Sequence, residues 1–381
     1  MRNNVIYKRN DSYQLLLNKQ CGWDNIKSIV DELNVDFDKI EYKDKDNGII
    51  LFGVGIYGEI VLQFFRRHGV NVLYYCDNDV SKQGKVIDGI KVISPRELTN
   101  INYTIVVITA RHYVEQISKQ LNEMNINNIS FDTYFVKKML HKYEYVYSNL
   151  LKEKRSREIY IQIIKSLILG TNKYCKSIME GDAFYAIPEF TNTGNEIFVD
   201  AGAYVGDTVE QFVWKNIGAF KKIYAFEPGE RQYTAMQHRI KRLIKEWCLN
   251  PEKIVCIKAG LGEKNSILSY SYNEKTPLGN NFISNNGGKF IETPIYSLDN
   301  FIDDENISFI KADIEGFEME MLKGACNLIK KCKPKLAISV YHKPEDLFNI
   351  AEYIYSLVPE YKMAIRHHSP MLVDTVLYCW I

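Results

Sequence analysis

Short apolar blocks alternate with amphipathic stretches along most of the chain, and this pattern predicts strands separated by helices. In the first half, Ile49–Phe52 has the composition of a buried strand, and Ile60–Arg67 that of an amphipathic helix. Further strands are predicted at Val70–Cys76 and Tyr103–Thr109, with a helix at His112–Met124. Because strands that alternate with helices pair in parallel, this half predicts a Rossmann-like sheet.

The second half repeats the alternation over a longer series. Its predicted strands are Ile197–Val199, Ile223–Phe226, Ile254–Lys258, Ile307–Ala312 and Lys335–Tyr341. Two later strands, Tyr361–Ile365 and Thr375–Trp380, have few residues between them and are expected to be antiparallel. Ile267–Tyr272 and Phe290–Tyr296 alternate like the arms of a hairpin. We therefore predict an α/β protein with two Rossmann-like domains.

These series divide the 381 residues into four segments. We assign residues 1–46 to an N-terminal helical segment, 47–133 to a Rossmann-like module, 134–190 to a helical linker and 191–381 to the second Rossmann-like domain. A chain of this length is expected to hold about two domains, in agreement with two sheets joined by helices.

Composition and charge narrow the class of protein. Hydrophobic residues make up 46% and charged residues 25%, as in an ordinary globular protein. The net charge of +1 gives no reason to expect a nucleic-acid partner, and no apolar run is long enough to span a membrane. The N-terminus lacks the apolar core of a signal peptide, and the eight cysteines include no Cys-x-x-Cys pair. We therefore expect a cytoplasmic protein.

The turn after strand Ile197–Val199 carries the most informative chemistry. Asp200 ends the strand, small residues follow as far as Gly206, and Asp207 opens the next helix. Acidic side chains in such a turn disfavour a pyrophosphate, which needs bare N–H groups. Glu227 ends the next strand, where a carboxylate can accept both hydroxyls of a ribose. This pattern predicts a cationic nucleoside, and S-adenosylmethionine (SAM), a sulfonium, fits it.

The predicted cofactor contacts gather at the carboxyl ends of the second set of strands. They are Asp200, Gly202, Ala203, Gly206, Asp207, Glu227, Pro228, Gly260, Leu261 and Asp313. The small residues around Gly260 would let an adenine lie against the sheet edge. The alternative for the turn is an ordinary strand–helix connection with an exposed Asp.

Methyl transfer to a hydroxyl requires an oriented oxygen and a group that accepts its proton. Asp313 ends the fourth strand and is the first candidate to line the reaction site, while Glu315 would orient substrate or pair with a base. His342 ends the fifth strand, and imidazole has an ordinary pKa suited to proton transfer near neutrality. His367 and His368 are further candidates, although each of the three is also explained as a hydrogen-bonded loop residue. These acids and imidazoles could instead ligate a divalent metal, but no spacing motif supports one, and we predict none.

Gly53, Gly55 and Gly58 form a second glycine-rich turn, with the G-x-G-x-x-G spacing between a strand and a helix. No acid lies inside this turn, so it suits phosphates at a helix N-terminus, and Asp77 ends the next strand where a ribose acceptor would stand. A nicotinamide dinucleotide is the default ligand, but no second mononucleotide half follows Asn128.

This first module resembles the small nucleotide-sugar-binding Rossmann modules attached to glycan-modifying enzymes. The likeness is carried by Asp77–Asp79, Lys82, Gly84, Gly89–Ile90 and Val92–Pro95. The resemblance implies a nucleotide-sugar ligand at Gly53, Gly55, Gly58 and Asp77. A degenerate module that binds nothing is the alternative.

Residues 196–381 resemble the FkbM family of SAM-dependent methyltransferases. The matching pieces, in order, are Val199–Ala203, Gly206, Phe226–Pro228, Ser297–Asp299, Lys311–Glu318 and Leu322–Ala325. The resemblance implies a class I methyltransferase fold over 191–381, a seven-strand sheet with an antiparallel final strand, and transfer to an oxygen, often of a sugar or polyketide. Tyr204 replaces the family's frequent Asn, and the preceding module shifts the expected substrate towards glycans.

The sequence therefore predicts a SAM-dependent O-methyltransferase that acts on a saccharide or nucleotide-linked sugar in glycan or secondary-metabolite biosynthesis. Its expected partners are a small-molecule or glycan acceptor and a nucleotide sugar at the first module. Two alternatives use the Gly53–Gly58 turn instead: an NAD-dependent oxidoreductase, and a non-catalytic nucleotide-sugar-binding protein.

Overall fold

Two units, each built on its own sheet, make up the part of the chain that the computed structural model describes, which is residues 22–33, 40, 48–190, 194–272, 289–303 and 305–381. The first unit holds Met1–Tyr147, Glu158–Ile178 and Pro370–Leu372; the second holds Ser148–Arg157, Met179–Ser369 and Val373–Ile381. Most of the predicted segment 1–46 lies outside the described residues, and its described part contains helix α1, Trp23–Asp31.

The sheet of the first unit has six strands. They are β1 Ile49–Phe52, β2 Val72–Cys76, β3 Val86–Ile87, β4 Ile90–Ile93, β5 Val106–Ile108 and β6 Asn128–Ser130. Their order is β3-β4-β2-β1-β5-β6, and every neighbouring pair is parallel except β3 with β4. All four residues of β1 are buried, as expected for a central strand between helical layers.

Helices lie between these strands and after the last of them. They are α2 Ile56–Arg67, α3 Val114–Glu123, α4 Phe131–Lys138, α5 Leu140–Tyr145, α6 Lys154–Leu169 and α7 Lys173–Ile178. Ser94 and Glu97 form a capping box at the start of a 3₁₀ helix, Pro95–Asn100, and Ser130 caps α4 by accepting the N–H of Thr133. The helix predicted at His112–Met124 is confirmed as α3.

The second unit contains a seven-stranded sheet and a smaller three-stranded one. The strands are β7 Ile197–Ala201, β8 Lys222–Phe226, β9 Ile254–Ile257, β10 Gly260–Leu261, β11 Ser266–Tyr272, β12 Lys289–Tyr296, β13 Phe309–Ala312, β14 Lys335–Ser339, β15 Lys362–His367 and β16 Thr375–Trp380. The large sheet runs β15-β16-β14-β13-β7-β8-β9, and the small one β10-β12-β11. In the large sheet, β16 pairs antiparallel with both β15 and β14, and the other neighbouring pairs are parallel.

The helices of this unit follow its strands. They are α8 Asp207–Lys215, α9 Glu230–Glu246, α10 Leu298–Phe301, α11 Glu318–Gly324, α12 Cys326–Cys332 and α13 Asp346–Leu357. Phe198 of β7 stacks on Phe212 of α8 with ring centroids 4.4 Å apart, and Phe309 of β13 lies 4.8 Å from Phe198. These aromatic contacts fix α8 against the centre of the sheet.

Strand register determines which residues meet at the edge of the large sheet. Asp200 of β7 pairs with Ala225 of β8 on one side and with Lys311 of β13 on the other. Because these strands are parallel, their carboxyl ends and the turns that follow lie together.

The predicted α/β class is confirmed, as are the antiparallel final strand of the seven-strand sheet and the hairpin formed by β11 and β12. Strand β6 was not predicted, because three residues are too few to show a periodicity. No helix among the described residues is long and apolar enough to cross a membrane.

Candidate active site

A glycine shapes the turn after β7. Gly202 has a φ of +77°, and a Cβ built on it would lie 2.0 Å from the main-chain oxygen of Asp313. A side chain at this position would therefore collide with the end of β13, and its backbone conformation is one that glycine adopts without strain. The turn and Asp313 consequently lie in direct contact at the carboxyl edge of the sheet.

The main-chain N–H groups of this turn bond to the protein itself. Those of Gly202 and Ala203 donate to the oxygen of Phe226 at 3.1 and 2.9 Å. The N–H of Tyr204 donates to Oε2 of Glu227 at 3.0 Å. Because these donors are used internally, the turn offers none of them to a pyrophosphate.

Asp200 lies beneath the turn and is completely buried, so we correct its expected role as a cofactor contact. Its Oδ1 lies 3.0 Å from Nζ of Lys311, which also donates to the main-chain oxygens of Gly202 at 2.7 Å and Ala201 at 3.2 Å. Burial lowers the pKa of Lys311, but Asp200 and Asp313 raise it by more. Lys311 is therefore a cation whose three N–H donors hold the turn in place.

Glu227, at the end of β8, is almost fully buried. Its Oε1 accepts the N–H of Gly229 at 2.8 Å, and its Oε2 accepts that of Tyr204. Burial raises the pKa of Glu227 to about 7, although these two hydrogen bonds lower it. Each oxygen keeps capacity for a further donor, as the predicted ribose acceptor requires.

A cavity of about 290 Å³ opens at this edge of the sheet, and we call it the acidic cavity. It is lined by Gly202, Tyr204, Asp207, Thr208, Phe226, Glu227, Pro228, Gln232, Ala259, Gly260, Leu261, Tyr270, Lys311, Asp313, Ile314, Glu315 and Phe317. Four carboxylates and one ammonium are among these residues. Lys311 already neutralises Asp200, so the cavity itself carries an excess of negative charge.

Most of the predicted site residues meet at this cavity. Those in its wall are Gly202, Asp207, Glu227, Pro228, Gly260, Leu261, Asp313 and Glu315. Ala203 and Gly206 lie outside the wall: Ala203 is fully buried, and Gly206 is the N-cap residue of α8 with a φ of +79°. These two residues shape the turn rather than line the cavity.

Three carboxylates surround the ring of His342. Its Nε2 lies 3.6 Å from Oδ1 of Asp313 and 3.7 Å from Oε2 of Glu315, and its Nδ1 lies 3.0 Å from Oε1 of Glu318. Burial lowers the pKa of His342, but the carboxylates raise it by more, to about 10. This direction favours the protonated ring at neutral pH, so the surrounding carboxylates disfavour His342 as the proton acceptor that the sequence suggested. Tyr341 donates to Oδ1 of Asp313 at 3.1 Å.

The other two candidate histidines bond away from the acidic cavity. Nδ1 of His367 lies 2.9 Å from Oγ1 of Thr375, and His367 is completely buried. The ring nitrogens of His368 lie 3.0 Å from the main-chain oxygen of Glu180 and 3.0 Å from the hydroxyl of Tyr378. Both are explained as structural hydrogen-bonding residues, as the sequence allowed.

In the first unit, packing alone accounts for two of the three glycines in the Gly53–Gly58 turn. A Cβ on Gly58 would lie 2.3 Å from the main-chain oxygen of Gly53, whereas one on Gly55 would meet no atom within 4 Å. Asp77 accepts the N–H of Val54 on Oδ2 at 2.9 Å and so braces the turn. Gly53 and Gly58 therefore have a structural cause that is independent of any ligand, whereas packing does not explain Gly55.

Sequence reasoning missed several residues of the acidic cavity. Lys311 could have been identified from the sequence, because a lysine inside the apolar strand β13 needs a buried partner. Tyr270 comes from the small sheet and Phe317 from the loop after β13, and neither position stands out in the sequence.

Comparison with family models assigns both halves of the chain. Residues 200–363 match the methyltransferase FkbM domain, and residues 45–130 match the C2185-like N-terminal domain. A sequence comparison with curated proteins gave no match.

Comparison with solved structures gave one that shares the fold over most of the chain and others with weaker similarity. The FkbM methyltransferase from Methylobacillus flagellatus KT is 20% identical with a TM-score of 0.58, covering 94% of this chain and 98% of its own. An rRNA methylase from Streptococcus thermophilus is 17% identical with a TM-score of 0.31, covering 49% of this chain and 86% of its own. TrmK from M. capricolum, solved with S-adenosyl-homocysteine, is 12% identical with a TM-score of 0.28, covering 50% and 63%. The last two scores are too low to support an inference. On the family match, residues 200–363 of this chain form a methyltransferase FkbM domain, and the solved FkbM methyltransferase shares the fold of the chain.

Proposed function

We propose that this enzyme transfers the methyl group of SAM to a hydroxyl oxygen of a saccharide or a nucleotide-linked sugar. The acidic cavity carries the proposal, because its carboxylates outnumber its one ammonium while the N–H groups of Gly202, Ala203 and Tyr204 bond to the protein. Such a site favours a cationic nucleoside over a pyrophosphate. The resemblance to FkbM methyltransferases implies oxygen as the acceptor atom.

The residues of the cavity suit the parts of SAM. Glu227 would accept the ribose hydroxyls, since each of its oxygens takes one N–H from the chain. Phe226, Gly260 and Leu261 give an apolar surface on which the adenine can lie. When bound, SAM supplies an electrophilic methyl group on a positively charged sulfur. Asp207 adds negative charge that favours this cation.

We assign proton transfer to Glu315. It lines the cavity with a side chain that is 44% exposed, whereas Oδ1 of Asp313 already accepts the hydroxyl of Tyr341. His342 is less suited to accept the proton, because the carboxylates around it raise its pKa and favour the protonated ring. Asp313 would orient the acceptor hydroxyl, and Glu315 would accept its proton as the oxygen bonds to the methyl carbon. The methyl–sulfur bond would break in the same step and leave S-adenosylhomocysteine.

A transfer assay with tritiated-methyl SAM tests the reaction. Panels of oligosaccharides and nucleotide-linked sugars serve as acceptors, and labelled products are treated with mild base, which cleaves methyl esters and leaves methyl ethers intact. We expect a base-stable product with at least one acceptor. Label found only in base-labile products, or only on amines, would contradict O-methylation.

The role of Glu315 is tested in the same assay. E315Q should lower kcat by about 10²–10⁴-fold, the usual loss on removal of a general base, and leave the Kd for SAM within about threefold of wild type. Glu320, two residues into α11, lies outside the cavity wall, so E320Q is the matched control and should keep wild-type kcat. A kcat for E315Q equal to that of E320Q would exclude Glu315 as the base.

For the first unit we propose that the Gly53–Gly58 turn binds the nucleotide part of a nucleotide sugar. Nζ of Lys82 lies 2.7 Å from the main-chain oxygen of Val54, so a cation stands beside the turn where phosphates would bind. Lys82 also lies 3.2 Å from Asp77, which leaves this carboxylate less available to a ribose than the sequence predicts.

Titration of the full-length protein with UDP-sugars, GDP-sugars and NADH compares the proposals for this turn. We expect a nucleotide sugar to bind and NADH not to bind, with K82A weakening the nucleotide sugar about tenfold and K85A, a nearby lysine on the same loop, leaving it unchanged. Binding of NADH alone would favour the dinucleotide alternative, and binding of neither would mark the module as degenerate.

A further inference from the structure

Three side chains beside the acidic cavity are arranged as ligands for a metal ion. Asp313, Glu318 and His342 each offer one ligand atom, and these atoms all lie within 4.8 Å of one another. In an octahedral site with bonds of about 2.1 Å, opposite ligands are about 4.2 Å apart, so small side-chain rotations would bring the three atoms into coordination range.

Two of the three side chains are buried with unused coordinating atoms. The side chains of Glu318 and His342 are 1% and 9% exposed. Oε2 of Glu318 and Nε2 of His342 have no hydrogen-bond partner among the described residues. A buried polar atom without a partner loses its hydration and gains nothing in return, so each one needs an explanation.

The surrounding contacts hold these atoms in position. The other oxygen of Glu318, Oε1, accepts the N–H of Ile314 at 2.9 Å, which leaves Oε2 as the unused atom. Nε2 of His342 faces Asp313 and Glu315. Both of these residues line the acidic cavity. The cluster therefore borders the space in which an acceptor would bind.

Charge also favours a cation at this position. Carboxylates of Asp313, Glu315 and Glu318 surround the single imidazole of His342. Lys343, the next residue in sequence, pairs with Glu320 at 3.5 Å, and Glu320 is not one of the three clustered carboxylates. The carboxylates thus outnumber the positive charge provided by the ring.

We propose that Asp313, Glu318 and His342 bind a divalent cation at the edge of the acidic cavity. Two carboxylates and one imidazole suit Mg²⁺ or Mn²⁺, and the cation would take the place of the imidazolium proton so that the ring coordinates as neutral imidazole. Its role rests on the proposed function: it would hold the acceptor hydroxyl and stabilise the developing oxyanion while Glu315 accepts the proton.

Binding of Mn²⁺ to the full-length, EDTA-treated protein tests the site without any assay of activity. We expect one Mn²⁺ per chain by electron paramagnetic resonance titration, and an echo-modulation spectrum that shows a coordinated imidazole nitrogen. D313N should weaken this binding at least tenfold. Glu320 lies on the same helix as Glu318 and outside the ligand set, so E320Q is the matched control and should bind Mn²⁺ as the wild type does.

Titration with SAM in parallel separates this proposal from the proposed function. Wild-type protein that binds SAM but no Mn²⁺ at millimolar concentration would overturn the cation site and leave the methyltransferase intact. Bound Mn²⁺ without an imidazole nitrogen signal, or equal weakening in D313N and E320Q, would also overturn it. The nitrogen signal is measured on the wild type, so the test stands even if D313N fails to fold.

Discussion

Glu227 combines a structural and a binding role in one carboxylate. It accepts N–H groups from Tyr204 and Gly229, which fixes the turn after β7 relative to the end of β8, and it lines the acidic cavity. Burial raises its pKa to about 7, so the free protein holds a mixture of the acid and the carboxylate at neutral pH. The carboxylate is the form that accepts two hydroxyls and favours a cation, which makes the residue sensitive to pH.

This titration predicts that SAM binds more tightly as pH rises. The raised pKa of Glu227 means that the binding form is depleted below about pH 7, so affinity should be about tenfold lower at pH 6 than on a plateau above pH 8. Calorimetric titrations between pH 6 and 8.5 measure the effect, and E227Q should remove most of the pH dependence. An affinity that falls with rising pH would have the wrong sign for this account.

Gly202 provides a second prediction at this scale. G202A should lower the free energy of unfolding by at least about 2 kcal/mol, because its φ is positive and its Cβ would collide with Asp313. Gly181 has no atom within 4 Å of its Cβ position and no positive φ, so G181A is the control and should change stability little. Urea unfolding of G202A and G181A measures the difference. A G202A protein as stable as G181A would show that the turn adjusts to a side chain at this position.

Adjacent strands β7 and β13 place a buried ion pair beneath the acidic cavity. Their register sets Lys311 opposite Asp200, and Lys311 bonds to two carbonyls of the β7 turn. Burying the two charges costs desolvation free energy. Removal of one partner costs more, because the other charge then stays buried without compensation. The pair therefore supports the turn, with Asp200 completely buried and Lys311 forming part of the cavity wall.

K311M should accordingly destabilise the second unit by about 3–5 kcal/mol, because Asp200 would stay buried without its cation. The double variant D200N/K311M should recover part of that loss, since neither charge remains. Urea unfolding measures all three proteins. A double variant that is less stable than K311M would contradict this pairing.

Strand positions were predictable because short, mostly apolar stretches bounded by turn residues, such as Ile197–Val199 and Ile307–Ala312, leave few alternatives. Asp313 and Glu227 could be placed at the sheet edge because each directly ends such a run. The burial of Asp200 and the protonation of His342 could not be predicted, since both depend on side chains from other strands and loops. The same holds for Tyr270, which the small sheet brings to the cavity from a strand with no chemical motif.

At the scale of the whole molecule, each unit has its own hydrophobic core. In the first, Ile50, Phe52 and Val106 pack with Leu121; in the second, a separate core includes Phe198.

Calorimetric unfolding should therefore resolve the two units. SAM at about one hundred times its Kd should stabilise the second unit by about 2.7 kcal/mol, and a nucleotide sugar should stabilise the first. Hydrogen exchange of peptides from β1 and β7 assigns each transition to its unit. Stabilisation of β1 by SAM with no change at β7 would contradict the assignment of the cofactor to the acidic cavity.

Calorimetric titration of the full-length protein with SAM at pH 8 measures cofactor binding to the acidic cavity most directly. Wild type should bind one SAM per chain, E227Q should bind at least tenfold more weakly, and E230Q, a change at an exposed acid in the first turn of α9, should bind as the wild type does. No heat from the wild type at millimolar SAM, or unchanged binding in E227Q, would contradict the central claim.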